Sequence, residues 1–201
     1  MSVIPRPELM LGDDGLTRCG WGAFDSEYRR YHDEEWGAPQ HDEARLFEKV
    51  CLEGFQAGLS WITILRRRPA FREVFHGFDV ERVAAMDESD VERLLGDARI
   101  IRHRGKIEAT IQNARATLAL DKPLDELLWS FAPPPRAAPP TTFAEVPATT
   151  PESVALSKEL RKRGYRFVGP TTMYALMQAT GIVDDHLGGC FRASVPFEVA
   201  R

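Results

Sequence analysis

Between positions 43 and 58 apolar residues return every three or four places, the spacing of one helix face. Leu46, Val50, Glu53 and Ala57 fall on one stripe, with Phe47, Cys51 and Gly58 on the stripe beside it. The same period predicts further helices. "SEYRRYHDEEW" opens on Ser26 as N-cap. The helix holding Glu53 ends near Gly58, and Ser60 caps "WITILRRR", which Pro69 closes. "AFREVFHGF" and "DVERVAAM" read as short amphipathic helices. "SDVERLL" carries Ser89 and Glu92 as a capping box, with Val91, Leu94 and Leu95 as its apolar face. "RHRGKIEATIQNARATLAL" reads as a long helix with Ile107, Ile111 and either Ala114 or Leu118 inward. Thr150 as N-cap, Pro151 at N1 and Gly164 at C′ frame "TPESVALSKELRKRG". "PTTMYALMQATG" is the last helix, ending at Gly181, and "APPPRAAPP" (132–140) is a stiff extended connection. No stretch alternates with period two, so the pattern predicts an all-α fold.

One position breaks the apolar stripe. Glu53 puts a carboxylate among core residues, and an isolated buried carboxylate is costly unless its charge is compensated or hydrogen-bonded. The plain alternative is that Glu53 sits at the stripe's edge and reaches water.

Composition narrows the class. At 201 residues, 43% hydrophobic and 28% charged, the chain suits one large soluble domain or two small interleaved ones. No apolar run approaches a membrane span, and "MSVIPRPELMLGDDG" lacks the plan of a secretory signal, which predicts a cytoplasmic protein. Three cysteines, an odd number, argue against a disulfide framework. A net charge of −4 points away from nucleic acid, yet basic residues gather at 66–68, 99–106 and 161–166. Each cluster alone is an ordinary solvated helix end. The helix–short turn–helix at 89–110 resembles a helix-hairpin-helix, whose backbone N–H groups meet a phosphate. The glycine pair usual in that hairpin is missing, and a bare αα-hairpin serves packing equally well.

Cys19 and His32 lie near one end, and His186 and Cys190 near the other, the latter with H-x3-C spacing. Two thiolates and two imidazoles suit tetrahedral zinc, and four protein ligands leave no open position, so such a site is structural. The alternative buries both thiols as small apolar groups and leaves both histidines at the surface.

Taken together, "RCGW", "YHDEEWG", "LFEKVCLEGFQAGLSWITIL", "IIRHRGKI", "NARA", "LSKELRKRG", "FVGPTTMYALMQA" and "DDHLGGC" resemble the family of bacterial 3-methyladenine DNA glycosylases I, the constitutive enzymes. The resemblance runs from about Arg18 to Cys190, nearly without gaps. It implies a helix-hairpin-helix glycosylase fold and one structural Zn2+ per chain, held by Cys19, His32, His186 and Cys190 and joining the terminal segments. It implies Glu53 as the base-binding, catalytic glutamate. It places the aromatic pocket on Tyr28, Tyr31 and Trp61, and the segment that fills the vacated duplex position around Gly58 and Leu59. Arg102, Arg104 and Lys106 fall in the hairpin as candidate contacts to the DNA backbone. The organisation expected is a loose extension at 1–17, the N-terminal part of a zinc-tied subdomain at 18–40, a helical core with the hairpin at 41–131, a proline-rich connection at 132–149, and C-terminal helices at 150–201 that complete the zinc-tied part.

The implied reaction is hydrolysis of the N-glycosidic bond of 3-methyladenine in double-stranded DNA by base flipping. Its products are an abasic site and free 3-methyladenine, made by a monomer with no membrane partner. Residues 98–120 contain no aspartate, and Asp121 and Asp125 read as helix-end and capping residues. A cationic base already leaves readily, so no strong leaving-group acid is needed. No lysine is placed as an amine nucleophile, which predicts a monofunctional enzyme. Two other readings compete: a zinc hydrolase with Glu53 as general base, which needs an open metal position, and a non-catalytic DNA-binding module.

Overall fold

A computed structural model of the chain describes residues 7–193. Residues 1–6, part of the expected loose extension, and 194–201, the end of the segment expected to complete the zinc-tied part, lie outside the described residues. The chain divides into two compact units.

The first unit is drawn from Met1–Pro39, Pro133–Ala148 and Met177–Arg201. It opens with a two-stranded antiparallel ribbon, β1 (Leu9–Leu11) and β2 (Thr17–Cys19), in which Leu9 lies opposite Cys19. The ribbon is a departure from the all-helical expectation and occupies part of the stretch expected to be loose. Strands of three residues are too short to show a period of two. Leu9 packs on a small core of Cys19, Leu187 and Cys190, together with Trp21, Phe143 and Phe191. A tight 3-10 turn at Gly20–Gly22 leads to α1 (Ser26–Glu34). Its N-cap is Asp25, not Ser26: the carboxylate accepts from the backbone N–H of Glu27 at 2.9 Å and Tyr28 at 3.2 Å. The proline-rich stretch is also tied down. Gly188 N–H donates to the Pro140 carbonyl at 2.7 Å, Phe143 N–H to Glu8 at 2.7 Å, and Arg136 pairs with Asp185 at 2.9 Å.

The second unit comprises Gln40–Ala132 and Thr149–Leu176. It contains α2 (Glu43–Gln56), α3 (Trp61–Val74), α4 (Val80–Ala84), α5 (Glu88–Gly96), α6 (Arg104–Leu118), α7 (Leu124–Trp129) and α8 (Pro151–Lys162), and it begins α9 (Pro170–Ala179). Helix α2 packs against α3, α6 and α7, while α6 also receives α4 and α5. A run of phenylalanines knits the centre: Phe55 meets Phe71 at 4.6 Å, and Phe75 meets Phe78 at 5.7 Å.

Three local expectations change. Helix α3 does not stop at Pro69 but runs on to Val74. An interior proline costs about 3 kcal/mol, yet ending the helix there would strip Phe71 and Val74 from the core they fill. Helix α5 is capped by Asp87, with Asp90 completing the box, two residues before Ser89 and Glu92. On α6 the inward residue is Ala114, fully buried, whereas Leu118 is exposed. The frame around α8 is as read: Thr150 caps it, Pro151 starts it, and Gly164 follows at φ +93°. Among the described residues no helix is long and apolar enough to cross a membrane.

Candidate functional site

The first unit brings the distant cysteine and histidine pairs together. Ligand atoms of Cys19, His32 and Cys190 lie within 4.8 Å of one another, all buried. Cys190 Sγ is 3.4 Å from His32 Nε2, and the backbone N–H of Leu187 donates to Cys19 Sγ at 3.4 Å. His186, also buried, meets His32 edge-on with ring centres 5.0 Å apart.

Both histidines carry a carboxylate on Nδ1: Asp33 on His32 at 2.8 Å, and Asp184 on His186 at 2.7 Å. Such a carboxylate on Nδ1 is the outer-shell arrangement that metal-binding histidines adopt; Nε2 of His32 is the ring atom turned to Cys190, while His186 is not among the three residues whose ligand atoms meet. The brace extends further. Asp33 accepts two bonds from Arg18 Nε, at 2.9 and 3.0 Å, and one from Arg18 Nη2 at 2.8 Å, while Asp14 holds the other side of the same guanidinium at 2.6 Å. Arg18 is buried, and its guanidinium, helped by the Leu16 N–H, holds the Asp14 carboxyl well below the usual carboxylate range. The two thiols share a hydrogen bond that raises Cys19 and lowers Cys190. Gly37, at φ +79°, leaves room for the imidazole: a Cβ there would stand 2.7 Å from His186 Cε1. This donor set fits zinc.

Trp21, two residues after Cys19, fills the space beside this cluster. Its ring meets Tyr28 at 5.7 Å, Trp36 at 5.0 Å and His32 at 5.2 Å, each nearly edge-on. The sequence reading named Tyr28 and Tyr31 but not Trp21; its only signal was its place inside the "RCGW" motif. Tyr31 is buried and Tyr28 half-buried.

In the second unit Glu53 is 4% exposed, which removes the alternative of an edge position reaching water. Its Oε2 is buried and has no hydrogen-bond partner among the described residues. Burial pushes its carboxyl up to about 8, against a small opposing pull from the Lys49 charge. Ala57 and Gly58 of the same expected stripes are exposed, because α2 has ended and the chain turns. Gly58 takes φ +82°, Leu59 stands 41% exposed, and Trp61 begins α3 half-buried. Eight residues thus carry the chain from the buried carboxylate, through an exposed apolar tip, to an indole.

The hairpin residues divide. Arg102 is exposed, while Arg104 is drawn onto the acids of its own neighbourhood, Glu88 at 2.5 Å and Glu92. Lys106 requires a correction. It is buried, and its Nζ donates to the carbonyls of Phe55 at 2.8 Å and Ala57 at 2.6 Å, so the amine faces inward and not toward a phosphate. Asp121 pairs with Arg163 at 2.5 Å and Asp125 with His41 at 2.8 Å, so both have structural partners.

Residues 21–193 match the family described as methyladenine glycosylase. The chain belongs to that family. DNA-3-methyladenine glycosylase 1 of Escherichia coli is 54% identical over 179 residues, covering 87% of this chain and 96% of the relative. A crystal structure of a 3-methyladenine DNA glycosylase I superposes with a TM-score of 0.84 at 51% identity, covering 87% of this chain and 98% of that one. A structure of the Staphylococcus aureus enzyme, described as the structural basis of 3-methyladenine recognition, gives 0.84 at 34% identity over 89% of this chain and 97% of that one. Within the methyladenine glycosylase family the mostly helical fold is therefore shared, and the Cys19, His32 and Cys190 cluster joins N- and C-terminal segments.

Proposed function

We propose that this protein is a DNA-3-methyladenine glycosylase: it removes 3-methyladenine from alkylated DNA and leaves an abasic site. Family membership supports the activity. The observation that carries the chemistry is the buried, unpartnered Glu53 oxygen.

A carboxyl kept from water pays for ionisation unless a positive partner arrives. Adenine methylated at N3 and still attached to deoxyribose is a cation. Entering beside Glu53, it favours the carboxylate, and the carboxylate favours it. An undamaged adenine brings no such charge. Glu53 accepts from the N6 amino group, and a charge-assisted bond of this kind contributes about 1.5–3 kcal/mol. Trp61 is assigned to stack on the flipped ring, at roughly 1–3 kcal/mol for a base on an aromatic face, with cation–π attraction added. Tyr28 and Tyr31 keep the base-binding assignment that the resemblance gave them. Leu59 and Gly58 are assigned to the gap left in the duplex, and Arg102 to its backbone.

Cleavage then needs little acid. The electron pair of the C1′–N9 bond moves to the base, which leaves neutral, the sugar takes oxocarbenium character, and water adds at C1′ with its proton lost to solvent. In this reaction Glu53 selects and orients. We assign the metal site to one structural zinc held by Cys19, His32, His186 and Cys190. With those four side chains as ligands, zinc would supply a cross-link there and no reactive water.

The deciding assay is release of free base from methylated duplex by wild type and by Glu53→Gln. Lost release with retained duplex binding is the expected outcome. Full release by the Gln variant would remove Glu53 from the reaction, and no release by wild type would favour a DNA-binding module.

A further inference from the structure

The end of α2 leaves carbonyls without helical partners, as every helix does; Ala57 takes φ −46° and ψ 114°, and Gly58 follows at φ +82° as the chain turns. The oxygens find partners elsewhere. Gln56 O accepts from Leu59 N–H at 2.6 Å, closing the turn. Phe55 O and Ala57 O, on either side of it, both accept from Lys106 Nζ. Lys106 is the third residue of α6, directly behind the hairpin turn that His103 caps. The other side of that hairpin is braced too, since Arg67 on α3 donates to Ala98 O and Arg99 O, each at 2.9 Å. A cation at a helix C-terminus also complements its dipole. Burial lowers the affinity of Lys106 for its proton.

We infer that Lys106 is a positioning residue of base flipping: its ammonium clamps the turn bearing Gly58 and Leu59 to the hairpin helix, so the gap-filling tip and the DNA-gripping hairpin engage the duplex as one rigid piece. The inference rests on the role proposed above for Leu59. It separates Lys106 from base reading, because the clamp acts downstream of Glu53 in the chain.

The test uses Lys106→Met and Lys106→Arg in the full-length, zinc-loaded protein, at a temperature where circular dichroism shows both folded. Three quantities are read: affinity for free 3-methyladenine, affinity for a duplex with a tetrahydrofuran abasic site, and kcat and KM for base release. In the Met variant, abasic-duplex affinity falls about tenfold, the size expected for losing bonds from a charged donor. KM for release rises with it, free-base affinity stays within about twofold, and Arg recovers part of the loss. A double-mutant cycle with Leu59→Ala shows non-additive effects on duplex affinity. Should the Met variant not fold, Lys106→Gln enters the same cycle. Additive effects, or free-base and duplex affinities falling in proportion, overturn the inference. So does a variant with unchanged duplex affinity and KM whose only defect is stability. Wild type that releases no base would instead overturn the function proposed above, and the duplex-affinity cycle would still decide Lys106.

Discussion

At Glu53 stability and recognition pull in opposite directions. Its folded carboxyl titrates near 8 against an ordinary value of 4.5, so the folded state holds a proton that the unfolded chain releases. The sign follows from linkage: this group's contribution is favourable below pH 4.5 and is lost as pH rises toward 8. Glu53→Gln removes that penalty. Its melting temperature should exceed that of wild type, and the gap should widen between pH 5 and pH 8, reaching on the order of a few kcal/mol. A constant gap across this range would mean that the carboxyl is not desolvated. Asp33 makes a second prediction at this scale. Asp33→Asn weakens the hold on His32 and on Arg18, so zinc affinity should fall about 10–100-fold in a competition titration against a chelator dye, with the fold retained at saturating zinc.

Helices in this protein end where packing lets them, and α3 is the clearest case. Pro69 is exposed and denies the Leu65 carbonyl its helical partner. The helix survives because Phe71 beyond it is fully buried against Phe55. Pro69→Ala should therefore stabilise, by up to about 3 kcal/mol in a urea titration, with base release unchanged. A destabilised variant would mean that the proline presets a bend the core needs. Helix starts were easier to read where an Asp, Ser or Thr marks the cap, as at α1 to α5 and α8; α6 and α7 instead follow His103 and Pro123. The errors at α1 and α5 came from choosing between neighbouring candidates: Asp25 outcompeted Ser26, and Asp87 outcompeted Ser89. Both winners are carboxylates, which gain from the helix dipole as well as from the cap bond.

For the molecule as a whole, the zinc proposed at the Cys19, His32 and Cys190 cluster would act as a cross-link within the unit that contains it. That unit is assembled from three separate stretches around a small apolar centre that includes both ligand cysteines. Chelation should therefore abolish near-ultraviolet circular dichroism and base release together, and added zinc should restore both. A folded but inactive apoprotein would revive the zinc-hydrolase reading. The absence of an aspartate after the hairpin sets the substrate range: 3-methyladenine should be released far faster than 7-methylguanine from the same methylated DNA. Comparable rates would show a leaving-group acid that residues 98–120 do not supply. Borohydride should trap no covalent adduct, since the buried Lys106 amine is turned onto backbone carbonyls.

The sequence alone determined the helical period, the caps at Ser60 and Thr150, the spacing of the Cys and His pairs and, through the resemblance, the family. These are properties of residues near one another along the chain, where 3.6-residue geometry and side-chain caps act. It could not settle whether Glu53 met water or apolar side chains, because periodicity names the stripe but not what covers it. It read Lys106 as outward because lysine usually is, whereas two carbonyls about fifty positions away turned it inward. Only the tertiary structure decided those two orientations, the short ribbon at β1 and β2, the continuation of α3 through Pro69 and the place of Trp21. In each case the controlling free energy comes from groups far apart in sequence, which no local pattern records.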